Sequence, residues 1–130
     1  ATSEEVATAI KDKAQLVDTR MISLYLGTWR KKSYVFANGH IPGAKSYPNE
    51  LLTSTMPAKF ISNADSKAMF LQLGINPDEK AITYCNSGHL ATGSWFVLSE
   101  LMGNKNVKLY DGSMHQWTLE KRDVVKLKME

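Results

Sequence analysis

The chain has 130 residues, 43% hydrophobic and 22% charged, with 16 Lys and Arg against 13 Asp and Glu for a formal charge of +3. Such a length fits one domain, 1–130, and the composition excludes a disordered tail, a collagen-like repeat and a coiled-coil rod. No stretch reaches the roughly 20 apolar residues that a membrane-spanning helix requires, so a soluble domain with no membrane partner is expected.

In chain order, residues 3–13 read as a helix: Ser3 can cap it, Glu4 and Glu5 occupy its first turn, and Val6, Ala9 and Ile10 recur at helical spacing. Residues 15–18, Gln-Leu-Val-Asp, form a short apolar run ending at a charge, as a buried strand does. A polar and aromatic stretch without clear period follows to Asn38 and reads as an irregular surface insertion. Residues 39–44, Gly-His-Ile-Pro-Gly-Ala, are dense in turn formers, and 45–47 then give a brief strand before Pro48.

Residues 64–73 carry Ala68, Met69, Leu71 and Leu73 in a helical pattern that Gly74 can close. Asn76, Pro77 and Asp78 make a turn, and residues 81–84, Ala-Ile-Thr-Tyr, a second strand that runs directly into Cys85. A small polar loop leads into a helix over about 90–101, ended by Gly103 and Asn104. Residues 107–110 give another strand and 113–119 a final helix. Strands alternating with helices at this spacing predict an α/β fold, a parallel sheet with helices on both faces. In such sheets ligands bind beyond the carboxyl ends of the strands, where Cys85 lies.

Two charge clusters stand out, Trp29-Arg30-Lys31-Lys32 and residues 121–128. The second alternates basic and apolar residues, as an exposed edge or a closing packed segment would. Neither makes the stripe of a nucleic-acid binder, so no nucleic-acid partner is expected. A mild positive field favours small anionic substrates. The first residue is Ala1 instead of Met, as in a processed protein or a domain cut from a longer one; the bacterial periplasm is weakly favoured, and a trimmed cytoplasmic domain would look the same.

Cys85 is the single cysteine. It cannot form an internal disulfide, and without partner cysteines no structural zinc site is expected. Three fates are open to it: a buried apolar filler, a dimer link or a reactive thiol. Its setting argues for the third. A thiol at a strand end, followed by a tight loop with Gly88 at its centre and then a helix, faces successive backbone N–H groups and the partial positive charge of the helix start. Both favour thiolate over thiol.

The motifs taken together resemble the rhodanese (sulfurtransferase) domain family over nearly the whole chain. Residues 16–20, Leu-Val-Asp-Thr-Arg, are similar to its early strand and Asp-x-Arg signature. Residues 39–44 match its Gly-His-Ile-x-Gly-Ala turn, 85–90 its six-residue active-site loop, and Tyr110-Asp111-Gly112-Ser113 through Trp117 an element near the end of its catalytic domain. The resemblance implies a five-stranded parallel sheet with helices on both faces. It also implies that Cys85 takes a sulfane sulfur as a persulfide from a small anionic donor such as thiosulfate or mercaptopyruvate. The sulfur then passes to cyanide, a thiol or a protein acceptor. Asn86, Ser87, Gly88, His89 and Leu90 would hold the persulfide and substrate through loop N–H groups, with no cofactor and no metal.

Within that family, some thiosulfate-specific members carry basic residues just after the cysteine. Asn86 and Ser87 stand there in this chain, closer to the mercaptopyruvate branch. Leu24 occupies a place where tandem members often carry an arginine, and Arg30, Lys31 or Lys32 could lean over the mouth instead. Asp18 and Arg20 are expected to pair or brace loops, and His40 to hydrogen-bond within its turn. Trp95, Phe96, Val97, Leu98 and Leu101 should be core, and Trp117 core or pocket rim. His89 could supply a titratable charge, and His115 has no partner identifiable from sequence. Two other functions compete: a non-enzymatic rhodanese-like binding or redox-sensing module, and a Cdc25-like cysteine phosphatase. The phosphatase needs an arginine six positions after the cysteine, where Ala91 stands.

Overall fold

The computed structural model describes residues 1–28, 35–55, 58–60, 62–88 and 91–126. Four parallel strands form the sheet in the order β2-β1-β5-β6: β1 (Gln15–Asp18), β2 (Lys45–Ser46), β5 (Ala81–Tyr84) and β6 (Val107–Leu109). Val17 pairs with Lys45 on one side and Thr83 on the other, and Thr83 in turn pairs with Leu109. The expected five-stranded count is therefore corrected to four among the described residues. Pro48 ends the chain's run beside β1. The next segment coils into a 3₁₀ turn (Asn49–Leu52) and then folds back on itself as an antiparallel pair, β3 (Thr53–Thr55) with β4 (Ala58–Phe60).

Side chains alternate across the sheet, and each face has its own core. Leu16, Ile82 and Tyr84 point into one layer with Val6 and Ala9 of α1 (Ser3–Lys11) and Met114 and Trp117 of α5 (Ser113–Leu119). Val17, Ala81 and Val107 point into the other, against Phe70 of α3 (Asn63–Gln72), Tyr47, Val97 and Leu98. Helices thus cover both faces, as an α/β sheet requires. Burial of these apolar faces stabilises the fold by about 25 cal/mol per Å² removed from water.

Several boundaries differ from the expected ones for local reasons. Thr2, not Ser3, caps α1 by accepting the Glu5 N–H (3.1 Å), which frees Ser3 to meet the Tyr110 hydroxyl at 2.6 Å inside the core. The helix ends at Lys11 because Lys13 turns into the left-handed region (φ 55°). The stretch read as irregular contains a short helix, α2 (Ile22–Leu26), too brief to show a period. The strand after the 39–44 turn stops at Ser46, and that before Tyr110 at Leu109.

The helix expected over 90–101 is helical from Ala91 to Phe96 (α4) and then widens into a π turn, Val97–Leu101. Gly93 lies so close to the 3₁₀ turn that a Cβ there would sit 2.8 Å from Asn49 Oδ1. Of the residues expected in the core on this helix, Val97 and Leu98 are buried, whereas Phe96 is exposed on the outer side.

Candidate functional site

The strand order decides where a site forms. From β1 the chain runs outward to β2 and then returns past β1 to β5, so the connections after β1 and β5 diverge, the switch point beyond whose carboxyl ends open α/β sheets place their ligands. Thr19 and Arg20 follow β1 and Cys85 follows β5. Thr19 bridges the two, its N–H and its hydroxyl both donating to the Tyr84 carbonyl at 3.0 Å.

Cys85 is a free thiol and is buried. The Gly88 N–H donates to its Sγ at 3.0 Å, closing the loop over the sulfur. Gly88 has φ 98°, and a Cβ there would sit 2.7 Å from the Asp111 carbonyl oxygen and 2.8 Å from its Oδ1. Both the backbone conformation and the lack of space call for glycine. Of the residues assigned to the loop from sequence, Cys85, Asn86, Ser87 and Gly88 are brought together in this turn. His89 and Leu90 lie outside the described residues, as do Arg30, Lys31 and Lys32.

The loop is fastened to the start of α5. The Cys85 N–H donates to Ser113 Oγ (3.0 Å), and the Met114 and His115 N–H groups donate to the carbonyls of Cys85 (3.0 Å) and Asn86 (2.9 Å). Ser113 donates its own proton to the Tyr110 carbonyl at 2.8 Å and sits at φ 52°, a conformation that non-glycine residues rarely adopt. These bonds make residues 110–115 part of the site. The Tyr-Asp-Gly-Ser motif was legible in sequence, but its grip on the cysteine backbone was not. His115, for which sequence offered no partner, stands beside the loop, its ring 6.0 Å from that of Phe36.

Behind the loop, Arg20 and Asp18 form a buried ion pair, Nη2 to Oδ2 at 2.7 Å, with Nε also on the carboxylate. Arg20 reaches further to the Gly39 carbonyl (2.7 Å) and to Asn86 Oδ1 (3.4 Å). Burial opposes the Arg20 charge, but Asp18, helped by Tyr84 and Cys85, outweighs it and holds the guanidinium above its ordinary value. Pairing and loop bracing are both realised. Tyr84, fully buried, accepts the Ile41 N–H at 3.1 Å, and its burial pushes its hydroxyl well above the usual range. The turn at 39–44 is thereby anchored from both Arg20 and Tyr84.

His40 departs from its expected role. Its Nδ1 meets the Tyr25 carbonyl at 2.7 Å and its ring stacks on Tyr25 with centroids 3.8 Å apart, so it ties the turn to α2. Trp117 is a packing residue: it lies edge-on to Tyr110 and donates its indole N–H to the Asp123 carbonyl. Leu24 is buried. The tail read as an exposed edge or closing segment pairs once, Val125 with His40, while 127–130 lie outside the described residues. No group of three or more His, Cys, Asp or Glu suited to a metal occurs among the described residues.

This arrangement defines a rhodanese-type fold, a parallel α/β sheet with a lone cysteine at a strand end whose sulfur accepts the Gly88 N–H. The chain belongs to the rhodanese family: the model of the rhodanese-like domain matches residues 2–120. It is 33% identical over 114 residues to the "Putative thiosulfate sulfurtransferase SseA" of Mycobacterium leprae, a match covering 84% of this chain and 38% of that protein. It is also 33% identical over 119 residues to the sulfur carrier protein TtuD of Thermus thermophilus, covering 88% and 41%. The chain thus spans about two fifths of these relatives. Among solved structures, the anaerobic ergothioneine biosynthesis enzyme from Chlorobium limicola superposes with a TM-score of 0.87 at 22% identity, covering 99% of this chain and 32% of that one.

Proposed function

We propose that the protein is a sulfurtransferase that carries a sulfane sulfur on Cys85. The observation that bears most weight is the 3.0 Å bond from the Gly88 N–H to Sγ within a loop fastened to α5 on its other side. A donor aimed at the cysteine sulfur stabilises negative charge there and, being already in place, needs no reorganisation as the charge moves. Membership of the rhodanese family and relatives named for sulfur transfer and sulfur carriage support the same reading.

The reaction divides into two displacements. The Cys85 thiolate attacks the outer sulfur of the donor. A Cys85–sulfur bond forms while the donor's own sulfur bond breaks, and the leaving anion, sulfite in the case of thiosulfate, departs with the electron pair. The outer sulfur of the resulting persulfide then accepts a nucleophile, either cyanide, a thiol or a protein thiolate, and the Cys85 thiolate leaves. Loop N–H groups from Asn86 onward hold the charged sulfur in both steps. Neither displacement calls for a metal or organic cofactor.

The decisive experiment is intact-mass measurement after incubation with thiosulfate or mercaptopyruvate. One added sulfur, about 32 Da, is expected on the wild-type chain and none on Cys85→Ser. Absence of the adduct with every sulfane donor overturns the proposal and favours a binding or redox-sensing module. Turnover of an aryl phosphate would favour the phosphatase, although Ala91 stands at that family's arginine position.

A further inference from the structure

We infer that Arg20 and Asn86 form a positioning pair for the nucleophile: the guanidinium holds the Asn86 side chain inward and so keeps the loop in the register that aims the Gly88 N–H at Cys85 Sγ. This role rests on Cys85 acting as the thiolate nucleophile proposed above. It assigns to the residue after the cysteine a task other than holding the donor.

The geometry supports this from both ends of Asn86. Arg20 is 2% exposed and its fork is fixed before it reaches the loop: Nε and Nη2 lie on the Asp18 carboxylate, and Nη2 also donates to the Gly39 carbonyl. Nη1 is left to meet Asn86 Oδ1 at 3.4 Å. A guanidinium has no acceptor, so the amide face turned toward it must be the oxygen. The Asn86 carbonyl meanwhile accepts the His115 N–H at 2.9 Å. Side chain and main chain of one residue are thus held by two different elements, and Asn86 is only 9% exposed. Two residues later, the Gly88 N–H meets the sulfur at 3.0 Å.

A rotation at residue 86 would swing that N–H away, because Gly88 is conformationally permissive and cannot hold the turn by itself. The brace lies on β1 and its outgoing turn, whereas the loop leaves β5. The pair therefore ties together the two diverging connections. The described charged and titratable groups packed against the loop are Arg20 with Asp18 behind it, Asp111 against Gly88, and His115 on α5.

The test uses the whole chain and three variants, Asn86→Ala, Arg20→Lys and the double substitution. Two rates are followed: alkylation of Cys85 by iodoacetamide across pH, which reads thiolate formation, and sulfur loading from thiosulfate. Asn86→Ala is expected to move the alkylation midpoint upward and to slow loading by about tenfold or more, as misplacement of a reacting group does. Its thermal midpoint should fall modestly, because the buried Arg20 Nη1 loses the Asn86 acceptor, so both rates are compared well below the midpoint. Arg20→Lys keeps the charge but loses the fork and should show the same upward shift. The double variant should be no slower than the slower single variant, because both act through one bond.

An Asn86→Ala chain with the wild-type midpoint and rates overturns the pair, as do losses that simply multiply in the double variant. If Arg20→Lys fails to fold, Asn86→Ala decides alone. Failure of any donor to load the wild-type chain overturns the sulfurtransferase reading instead, and the alkylation comparison still decides the pair.

Discussion

Ser113 Oγ accepts the backbone N–H of Cys85 at 3.0 Å while donating to the Tyr110 carbonyl at 2.8 Å, so one hydroxyl joins the nucleophile's main chain to the turn before α5. Ser113 pays for this position with a left-handed backbone at φ 52°. Loss of the hydroxyl and relief of the backbone can be separated. Ser113→Ala leaves a buried N–H without its acceptor and keeps the unfavourable φ, for an expected cost of about 1–3 kcal/mol. Ser113→Gly loses the same bond but relaxes the backbone, and it should be more stable than Ser113→Ala by about 1 kcal/mol. Urea denaturation of the three chains measures both differences, and equal stability of the two variants would contradict the strain.

Gly88 combines φ 98° with backbone and side-chain oxygens of Asp111 where a Cβ would go. Gly88→Ala must push the loop off Asp111 and with it the N–H that faces Sγ. Sulfur loading is expected to fall about tenfold or more, alongside a stability loss of about 1–3 kcal/mol. Stopped mass measurements of adduct formation over time would reveal the rate, and a variant loading as fast as wild type would show that the cradle tolerates displacement.

Stability at acid pH should depend on Glu120. Hydrogen bonds from Gln116, Arg122 and Ser3 bring its carboxyl down from 4.5 to about 2. The sign follows from linkage: a depressed folded-state value contributes stability that is complete above the unfolded value and is lost as pH falls toward the folded one. The window is therefore from about 4.5 down to about 2. Because Glu120 lies at the surface, solvent screens the effect. Thermal midpoints of wild type and Glu120→Gln, followed through that range, should converge as pH falls. A constant gap between them would contradict the assignment.

The Tyr47 hydroxyl is buried without a hydrogen-bond partner among the described residues, and its burial raises it to about 12. Its ring stacks on Phe70 with centroids 3.9 Å apart, a contact that phenylalanine keeps. Removing a buried, unsatisfied polar atom while preserving the ring should be neutral or stabilise by about 1 kcal/mol. A fall in thermal midpoint for Tyr47→Phe would reveal a partner that the hydroxyl reaches in solution.

The sequence by itself determined the parts of this protein whose information is local. Residues 81–84 and 113–119 stand where their patterns put them, because strand and helix periods express burial of one face and need no knowledge of the partner. The loop from Cys85 to Gly88 was legible because a thiol, a glycine and a following helix are consecutive in the chain. Asp18 and Arg20, two residues apart, were recognisable as a pair for the same reason.

Contacts between distant segments were decided by the tertiary structure. Thr2 caps α1 while Ser3 turns inward to meet Tyr110, 107 residues away. His40 binds Tyr25 on α2 because the turn packs across that helix, which no rule of turn chemistry contains. Among the described residues the sheet has four strands, and the chain after the 3₁₀ turn pairs with itself as β3 and β4. Most of all, the grip of Ser113 on Cys85 and of Arg20 on Asn86 joins segments 28 and 66 residues apart. Sequence placed a lone thiol at a strand end; the hydrogen bonds from Ser113 and Gly88, and the diverging connections of β1 and β5, set its surroundings.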